Sequence, residues 1–320
     1  MKIEKKEGAS LLIAIPCLNE RDNLDILLPK IPKTLPGIER IDILVVDDGS
    51  SDGSADIAAK HGALTLRHPR NRGVGAAFAT ASQYALNNGY TMMVNMDGDN
   101  QFNPADIGAL CAPVLSGKAE MTTASRFMDA NKLPDGIPRA KLYGNKLMSM
   151  LVGSLVHAKF YDVSCGFRCY SREALLRLTL SGAFTYTQES FIDLSVKRLP
   201  IEEVPIKVQY FPERKSRVAG NLFKYGFKTL SIILRSYRDY FPLRFFWGLA
   251  ALFLLPALVM GFIFLSHYLS TGLFSGALYA GFSGAFLFLI SIIFFVVGIF
   301  ADMLARLRVN QENILYQLKK

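Results

Sequence analysis

Between Arg244 and Asp302 the chain carries no Lys, Arg, Asp or Glu, although the residues before it are densely charged. Residues 245–266 and 277–301 are almost wholly apolar. Each stretch is long enough to cross a bilayer as a helix, which takes about 20 residues. Neither has a polar face, so two core helices of a water-soluble domain fit poorly. The expectation is a two-helix transmembrane hairpin linked through residues 267–276. Its flanks are basic, with Lys224, Lys228, Arg235, Arg238 and Arg244 before it and Arg306, Arg308, Lys319 and Lys320 after it. The positive-inside rule then places the N-terminal region and both termini in the cytoplasm. The net charge of +9 is concentrated near this boundary. That favours anionic headgroups and phosphorylated lipids over nucleic acid, and no nucleic-acid motif is present. The first apolar run, residues 11–15, is too short for a signal peptide. Cys17, Cys111, Cys165 and Cys169 lack zinc spacing and are read as reduced, structural thiols.

Upstream of the hairpin, short apolar runs alternate with helical patterns. Strands are expected at 11–16, 42–46, 64–67, 92–96 and 121–125, and helices at 19–28, 52–60, 75–87 and 104–115. Such alternation implies a mostly parallel, Rossmann-like α/β sheet. The rhythm then loosens. Residues 126–144 read as a loop rich in Pro, Asp, Asn and Lys, of which 128–141 is expected to act as a lid over the site. A helix at 143–156 and a strand at 202–211 follow. In 220–240, Phe223, Phe227, Leu230, Leu234 and Tyr237 recur at steps of four and three beside Lys224, Lys228, Arg235 and Arg238. That pattern predicts a basic amphipathic helix lying in the membrane interface.

The chemistry is expected at Asp97-Gly98-Asp99. Met92, Met93, Val94 and Met96 want burial, whereas the two carboxylates that end the run do not. The carboxyl end of such a strand is where open α/β sheets bind ligands. Two acidic oxygens, with Gln101 as a third ligand, suit a hard cation such as Mg2+ or Mn2+ holding a diphosphate. The second strand ends in Asp47-Asp48-Gly49-Ser50-Ser51-Asp52-Gly53, where one acid could accept hydrogen bonds from a nucleobase or ribose and Ser51 or Asp52 could cap the next helix. Asn71-Arg72-Gly73-Val74-Gly75 is not a dinucleotide fingerprint, because Phe78 stands where the third glycine would be needed.

Residues 15–20 (IPCLNE), 45–54 (VVDDGSSDGS), 71–77 (NRGVGAA), 96–104 (MDGDNQFNP), 124–127 (ASRF) and 162–175 (DVSCGFRCYSREAL) occur in that order. Together they resemble family 2 glycosyltransferases of GT-A fold, over residues 10 to 217. The branch most similar in pattern is the polyprenyl-phosphate glycosyltransferases, which include dolichol-phosphate mannose synthase. The resemblance implies that Pro16, Leu18, Glu20, Val46 and Asp48 line the nucleotide pocket. It implies that Asp97, Gly98, Asp99 and Gln101 form the metal and diphosphate site. Arg126 then lies near the donor phosphates and sugar, Arg139 in a loop over the site, and Asp162 with Gly166-Phe167-Arg168 on the acceptor side. Glu189 falls where that branch often has an acid. Many relatives carry Arg-x-x-Gly-x-Ser-Lys near residue 214, whereas this chain reads Pro212-Glu213-Arg214-Lys215-Ser216-Arg217. Either Arg214, Lys215 and Arg217 bind the acceptor phosphate or they only draw the chain to the membrane.

The implied reaction moves a sugar from a nucleotide sugar, of GDP-mannose or UDP-glucose type, to a polyprenyl phosphate such as dolichyl or undecaprenyl phosphate. A phosphate monoester with a second pKa of about 6 is already nucleophilic in the cytoplasm, so no catalytic histidine is required. Direct attack would invert the anomeric carbon. Asp99, Asp162 and Arg126 are the expected catalytic residues. His68 is read as serving its loop rather than the chemistry. The expected organisation is a catalytic domain over 1–217, amphipathic juxtamembrane helices over 218–242, the hairpin over 243–303 and a basic cytoplasmic tail over 304–320. Self-association into a homo-oligomer is left open. Two other classes compete. A processive polysaccharide synthase would carry Gln-x-x-Arg-Trp, but the only tryptophan, Trp247, has no such lead-in. A non-catalytic nucleotide-sugar-binding scaffold would not need intact Asp97, Asp99, Arg126 and Asp162.

Overall fold

A computed structural model describes residues 8–129, 139–179, 186–208 and 222–320. The chain divides into two compact units, Met1–Ile233 with Leu318–Lys320, and Leu234–Gln317.

The first unit is an α/β domain. Its strands are β1 (Ala9–Cys17), β2 (Ile38–Asp47), β3 (Leu64–Arg67), β4 (Met92–Asn95), β5 (Met121–Ser125), β6 (Arg168–Ser171) and β7 (Ile201–Pro205). They form one sheet in the order β3-β2-β1-β4-β6-β5-β7. β1, β2, β3 and β4 are mutually parallel. β6 runs antiparallel to both β4 and β5, and β7 returns parallel to β5. Leu11 to Ile15 of β1 are fully buried without alternation, as expected of a central strand covered on both faces. Helices α1 (Arg21–Leu27), α2 (Ser54–Lys60), α3 (Val74–Asn87) and α4 (Ile107–Leu115) are the crossovers between the parallel strands. Further along lie α5 (Arg139–Val156), α6 (Arg172–Arg177) and α7 (Thr187–Val196).

The expected strands and crossover helices are present, within a few residues at their ends. β2 begins at Ile38, four residues earlier than expected. The helix expected from residue 52 starts at Ser54, because Gly53 adopts φ 83° and Asp52 turns its carboxylate onto the Ser54 amide at 3.0 Å. Residues 139–142, assigned to the loop in the sequence, already belong to α5. The last expected strand ends at Pro205. The rest of the expected lid, residues 130–138, and the basic set Arg214, Lys215 and Arg217 lie outside the described residues. The four cysteines are free and buried. Burial pushes the Cys165 thiol up to about 12, which keeps it inert.

Helix α8 (Leu222–Tyr240) carries the amphipathic pattern, and Phe227, Leu230 and Leu234 stand exposed along it. Helices α9 (Pro242–Thr271) and α10 (Leu278–Lys319) are both long and apolar enough to cross a membrane. Gly272, at φ 70°, ends α9, its N–H donating a hydrogen bond to the Tyr268 carbonyl, a common left-handed helix stop. Along the pair, Ser291 donates to the Ala250 carbonyl at 2.9 Å and Trp247 stacks on Phe295 at 5.1 Å. Residues 304–319, expected as a basic tail, continue α10 without a break.

Candidate active site

The parallel half of the sheet positions the site. Cys17 at the end of β1 is level with Asp47 at the end of β2, and Asn95 at the end of β4 pairs with Ala14 of β1. β2 lies on one side of β1 and β4 on the other, so the chain direction of winding switches at β1. Loops leaving the carboxyl ends of strands at such a point part to open a crevice. The loops after β1, β2 and β4 all emerge there.

The first two loops are tied together. The Asn19 amide donates to Ser50 Oγ at 2.9 Å, the Glu20 amide to Ser54 Oγ at 3.0 Å and the Arg21 amide to Asp52 Oδ2 at 3.0 Å. In return the Ser51 amide donates to Asn19 Oδ1 at 2.9 Å. Asn19 adopts φ 52°, a conformation that asparagine tolerates better than most residues. These bonds hold Pro16, Leu18 and Glu20 beside the end of β2. Val46 is buried in the sheet, one residue before the end of β2.

Asp48, expected to meet the nucleotide, has its carboxylate engaged within the protein. Oδ1 accepts from the Arg72 amide at 2.9 Å and lies 2.7 Å from His68 Nδ1, and Oδ2 accepts from the Gly73 amide at 2.8 Å. The other nitrogen of His68 lies 2.9 Å from Thr80 Oγ1. Asp48 thus anchors residues 71–73, and His68 bridges Asp48 to Thr80 of α3. Asp47 similarly accepts from the Ser50 amide at 2.8 Å. Gly49, at φ 86°, sits where a Cβ would approach Arg70 and Asn71 backbone to 3.0 Å.

Asp97 and Asp99 follow β4, both half-buried. Asp99 Oδ1 accepts the Gln101 amide at 3.1 Å, which fixes the turn that carries both acids. Gly98 packs against β1, with Ile15 and Leu24 side chains within 3.6 Å of where a Cβ would stand. Gly166 faces Asp97. A Cβ there would lie 3.1 Å and 3.3 Å from the two Asp97 oxygens and 3.3 Å from the Tyr186 hydroxyl. Glycine therefore keeps the space over this carboxylate clear. Among the described residues no group of three His, Cys, Asp or Glu side chains could hold a metal ion by itself. A pair of carboxylates beside cleared space fits a Mg2+-type ion that takes its other oxygens from substrate phosphates and water.

The residues behind Asp97 carry no signal of a site in the sequence. Asn95 Nδ2 donates to the Gly166 carbonyl at 3.1 Å and to the Tyr186 hydroxyl at 2.6 Å. Tyr186 is fully enclosed and stacks on Phe78 at 4.2 Å. Burial, then the charge of Asp97, push its hydroxyl well above the usual tyrosine range. It stays a neutral hydroxyl beside the acid.

The third part of the site lies after β5. Arg126 Nε and Nη2 donate to Asp162 Oδ2 and Oδ1 at 2.6 Å and 2.9 Å, a bidentate pair whose carboxylate is fully buried. The Asp162 backbone is held in turn by Glu203 of β7, whose Oε2 and Oε1 accept the Tyr161 and Asp162 amides, each at 2.8 Å. Strand alternation separates Glu203 from exposed Glu202 and was the one signal for it. Arg168 is completely buried and donates to the carbonyls of Cys165, Thr187 and Val163 and to Ser190 Oγ. It pins the 163–167 turn that carries Gly166 to the start of α7. Arg139 opens α5, and Glu189 is half-buried in the first turn of α7.

Burial raises Glu203 above the ordinary carboxylate value. The folded state therefore holds this proton more tightly than the unfolded chain. Its contribution to stability is full below the ordinary value and is lost as pH rises through the raised one. Glu203→Gln cannot titrate. The melting temperature of the wild type relative to this variant should fall as pH is raised from 4 through the raised value, then level off. Parallel melting curves across that range would refute the assignment.

Compared with known proteins, residues 12–179 match the family model for Glycosyl transferase family 2. The polyprenol monophosphomannose synthase of Mycolicibacterium smegmatis is 29% identical over 66% of this chain and 81% of its own length. A UDP-N-acetylglucosamine–dolichyl-phosphate N-acetylglucosaminyltransferase of Methanococcus voltae is 26% identical over 70% of this chain and 94% of its own. Among solved structures, glucosyl-3-phosphoglycerate synthase from Mycobacterium tuberculosis, in complex with Mn2+, uridine diphosphate and glucosyl-3-phosphoglycerate, has the same fold. Its TM-score is 0.54 at 20% identity, covering 73% of this chain and 80% of that one.

Proposed function

Because the chain belongs to glycosyl transferase family 2 and has its GT-A fold, we propose that it transfers a sugar from a nucleotide sugar to a polyprenyl phosphate at a membrane. The observation that carries this reading is the pair Asp97 and Asp99 at the β1–β4 switch point, in a chain with two helices able to cross a bilayer. The acceptor class is supported by relatives named for polyprenol and dolichyl phosphates. Those relatives differ in the sugar they are named for, so the donor is proposed only as a nucleoside-diphosphate sugar, with GDP-mannose and UDP-sugars as candidates.

In this reading the crevice at the carboxyl ends of β1, β2 and β4 takes the nucleotide, lined by Pro16, Leu18 and Glu20. Asp48 acts there by holding residues 71–73 in place. Asp97 and Asp99, with Gln101 in the same turn, hold Mg2+ or Mn2+, which when bound offsets the charge that develops on the leaving diphosphate. Arg126, aimed by Asp162, offers a fixed cation beside the donor phosphates. The acceptor phosphate, dianionic near neutral pH, attacks the anomeric carbon directly and inverts it. Arg139, Arg214, Lys215 and Arg217 are proposed to guide that phosphate. The domain limits proposed are 1–217 for catalysis, 218–242 for amphipathic helices, 243–303 for the hairpin and 304–320 for the C-terminal segment. Both termini are proposed to be cytoplasmic.

The test is a panel of radiolabelled nucleotide sugars incubated with the full chain and undecaprenyl or dolichyl phosphate in membranes. One donor should yield an organic-extractable, mild-acid-labile glycolipid. Transfer only to a growing polysaccharide, or no transfer from any donor with an intact fold, would overturn the reading.

A further inference from the structure

The turn over residues 161–164 belongs to no helix or strand, yet its Asp162 fixes Arg126 at three points. The Arg126 amide, Nε and Nη2 all donate to that carboxylate. A guanidinium is only as well placed as the acid that holds it, and the acid only as well as its own backbone. Two elements hold that backbone. From α5, Asn145 Nδ2 donates to the Tyr161 carbonyl at 3.0 Å, and Asn145 Oδ1 accepts the Ser164 hydroxyl at 2.7 Å. From β7, the Glu203 carboxylate takes the Tyr161 and Asp162 amides, one on each oxygen, each at 2.8 Å.

A carboxylate is a costly acceptor to place there. Neutral groups can also accept amide hydrogens, and burying a charge costs far more than burying a neutral polar group. Burial raises Glu203, and the Asp162 charge adds to that, against the two amides and Ser125 of β5, which lower it. Of the helices packed on β7, α4 has no charged residue. The other, α7, brings Glu189 and Asp193, of which Asp193 is paired with Lys197 at 2.8 Å. Among the described residues Glu203 has no cation as partner. What its ionised form offers is two acceptor oxygens at once. Protonation turns one of them into a donor that faces an amide N–H, so one of the two bonds is lost.

We propose that Glu203 is a positioning residue for sugar transfer: its carboxylate, by clasping both amides, sets Asp162 and through it Arg126 for the donor diphosphate. This rests on the role proposed above for Arg126 beside the donor phosphates. The effect has a sign. As pH falls through the raised Glu203 value, the clasp loses a bond and Arg126 loses its aim. The same protonation removes the cost of burying the charge, so the fold is steadied while the site is loosened. Stability and positioning therefore move in opposite directions with pH at this one residue.

The experiment uses the full chain in detergent, with Glu203→Gln and, as a control, Glu202→Gln at the exposed neighbouring position of β7. Glutamine keeps one acceptor oxygen and turns an NH2 to the other amide, so it mimics the protonated acid at every pH. Near neutral pH, Glu203→Gln should raise the donor KM roughly tenfold, as loss of one charge-assisted bond implies. It should lower kcat and leave the acceptor KM unchanged. The ratio of its donor KM to that of the wild type should fall toward one as pH drops through the raised value. Glu202→Gln should match the wild type throughout. Hydrogen exchange at the Tyr161 and Asp162 amides, corrected for intrinsic rates, reads the clasp without turnover. It should be faster in Glu203→Gln near neutral pH and alike in both proteins at acid pH. A donor KM ratio that stays at one, or that does not change with pH, would overturn the proposal, even with faster exchange. So would a fall in kcat alone, which marks a residue that only keeps molecules folded. If Glu203→Gln does not fold, the wild type decides: its donor KM and the exchange of both amides must rise together at one pH, and separate midpoints refute the proposal. If the wild type transfers no sugar, the same ratio is taken from Mn2+-dependent binding of UDP and GDP. A wild type that binds neither overturns the glycosyltransferase reading and this proposal together, whereas binding that Glu203→Gln leaves unchanged overturns this proposal alone.

Discussion

Asp99→Asn should lose sugar transfer by at least ~100-fold while the protein folds and enters membranes normally. Asp99 Oδ1 accepts the Gln101 amide at 3.1 Å, and the amide oxygen of asparagine can accept it equally well. The side chain is half-buried, so no packed core is disturbed. What changes is charge. A group that stabilises developing negative charge in a water-poor site contributes roughly 2.7–4 kcal/mol to the barrier, or about 10²–10³ in rate. Asp99→Asn should also weaken binding of Mn2+ in the presence of nucleoside diphosphate, measured by quenching of the ion's free EPR signal. Full activity of the variant, or full activity of the wild type in EDTA, would remove Asp99 from this role. Unaltered Mn2+ uptake with lost transfer would separate ion binding from catalysis.

Much of the site's frame is legible in the sequence because burial and charge conflict there. An apolar run that ends in Asp-Gly-Asp cannot bury its last residues, and β4 ends one residue before Met96, just ahead of them. The strand expected at 121–125 stands at those bounds, buried throughout although Thr122, Thr123 and Ser125 are polar. Other elements send no such signal. β6 begins with Arg168, an arginine that reads as surface but is fully buried by neutral carbonyls. α7 buries Thr187, Gln188, Ser190 and Asp193, so its inward face looks polar. Asp193 is tied by Lys197 at 2.8 Å and by the Thr179 amide at 2.9 Å. Glu203 escaped notice because its partners are backbone amides, which any residue supplies. Asp48 is occupied by the Arg72 and Gly73 amides as well as His68, and the amide bonds are again invisible in side-chain types. Residues 304–320 read as a basic tail from their cations, while the three-four spacing of Leu304, Leu307, Ile314 and Leu318 carried the helix onward.

Asp162 tests whether a buried acid proposed for the acceptor side is a base or an anchor. Its two oxygens face Arg126 Nε and Nη2, and Oδ2 also accepts the Arg126 amide at 3.2 Å. Oδ1 further accepts the Ser164 amide at 3.2 Å. An acid so engaged is poorly placed to take a proton, and a phosphate acceptor does not need it to. As an anchor, it fixes the Arg126 guanidinium that is proposed to face the donor. Removing one member of a buried ion pair strands the other, at a cost of roughly 3–5 kcal/mol. Asp162→Ala and Arg126→Ala should therefore each destabilise the protein strongly, whereas the double variant should recover part of that loss, because no unpaired charge remains. The gentler Asp162→Asn keeps the shape and one acceptor. It should raise the donor KM together with a fall in kcat, and adding Arg126→Lys should cost little more, since both act through the same contact. A base would behave otherwise: Asp162→Asn would leave the donor KM alone and remove the acidic limb of the kcat profile. Additive losses for Asp162→Asn and Arg126→Lys would likewise separate the two residues and refute the anchor.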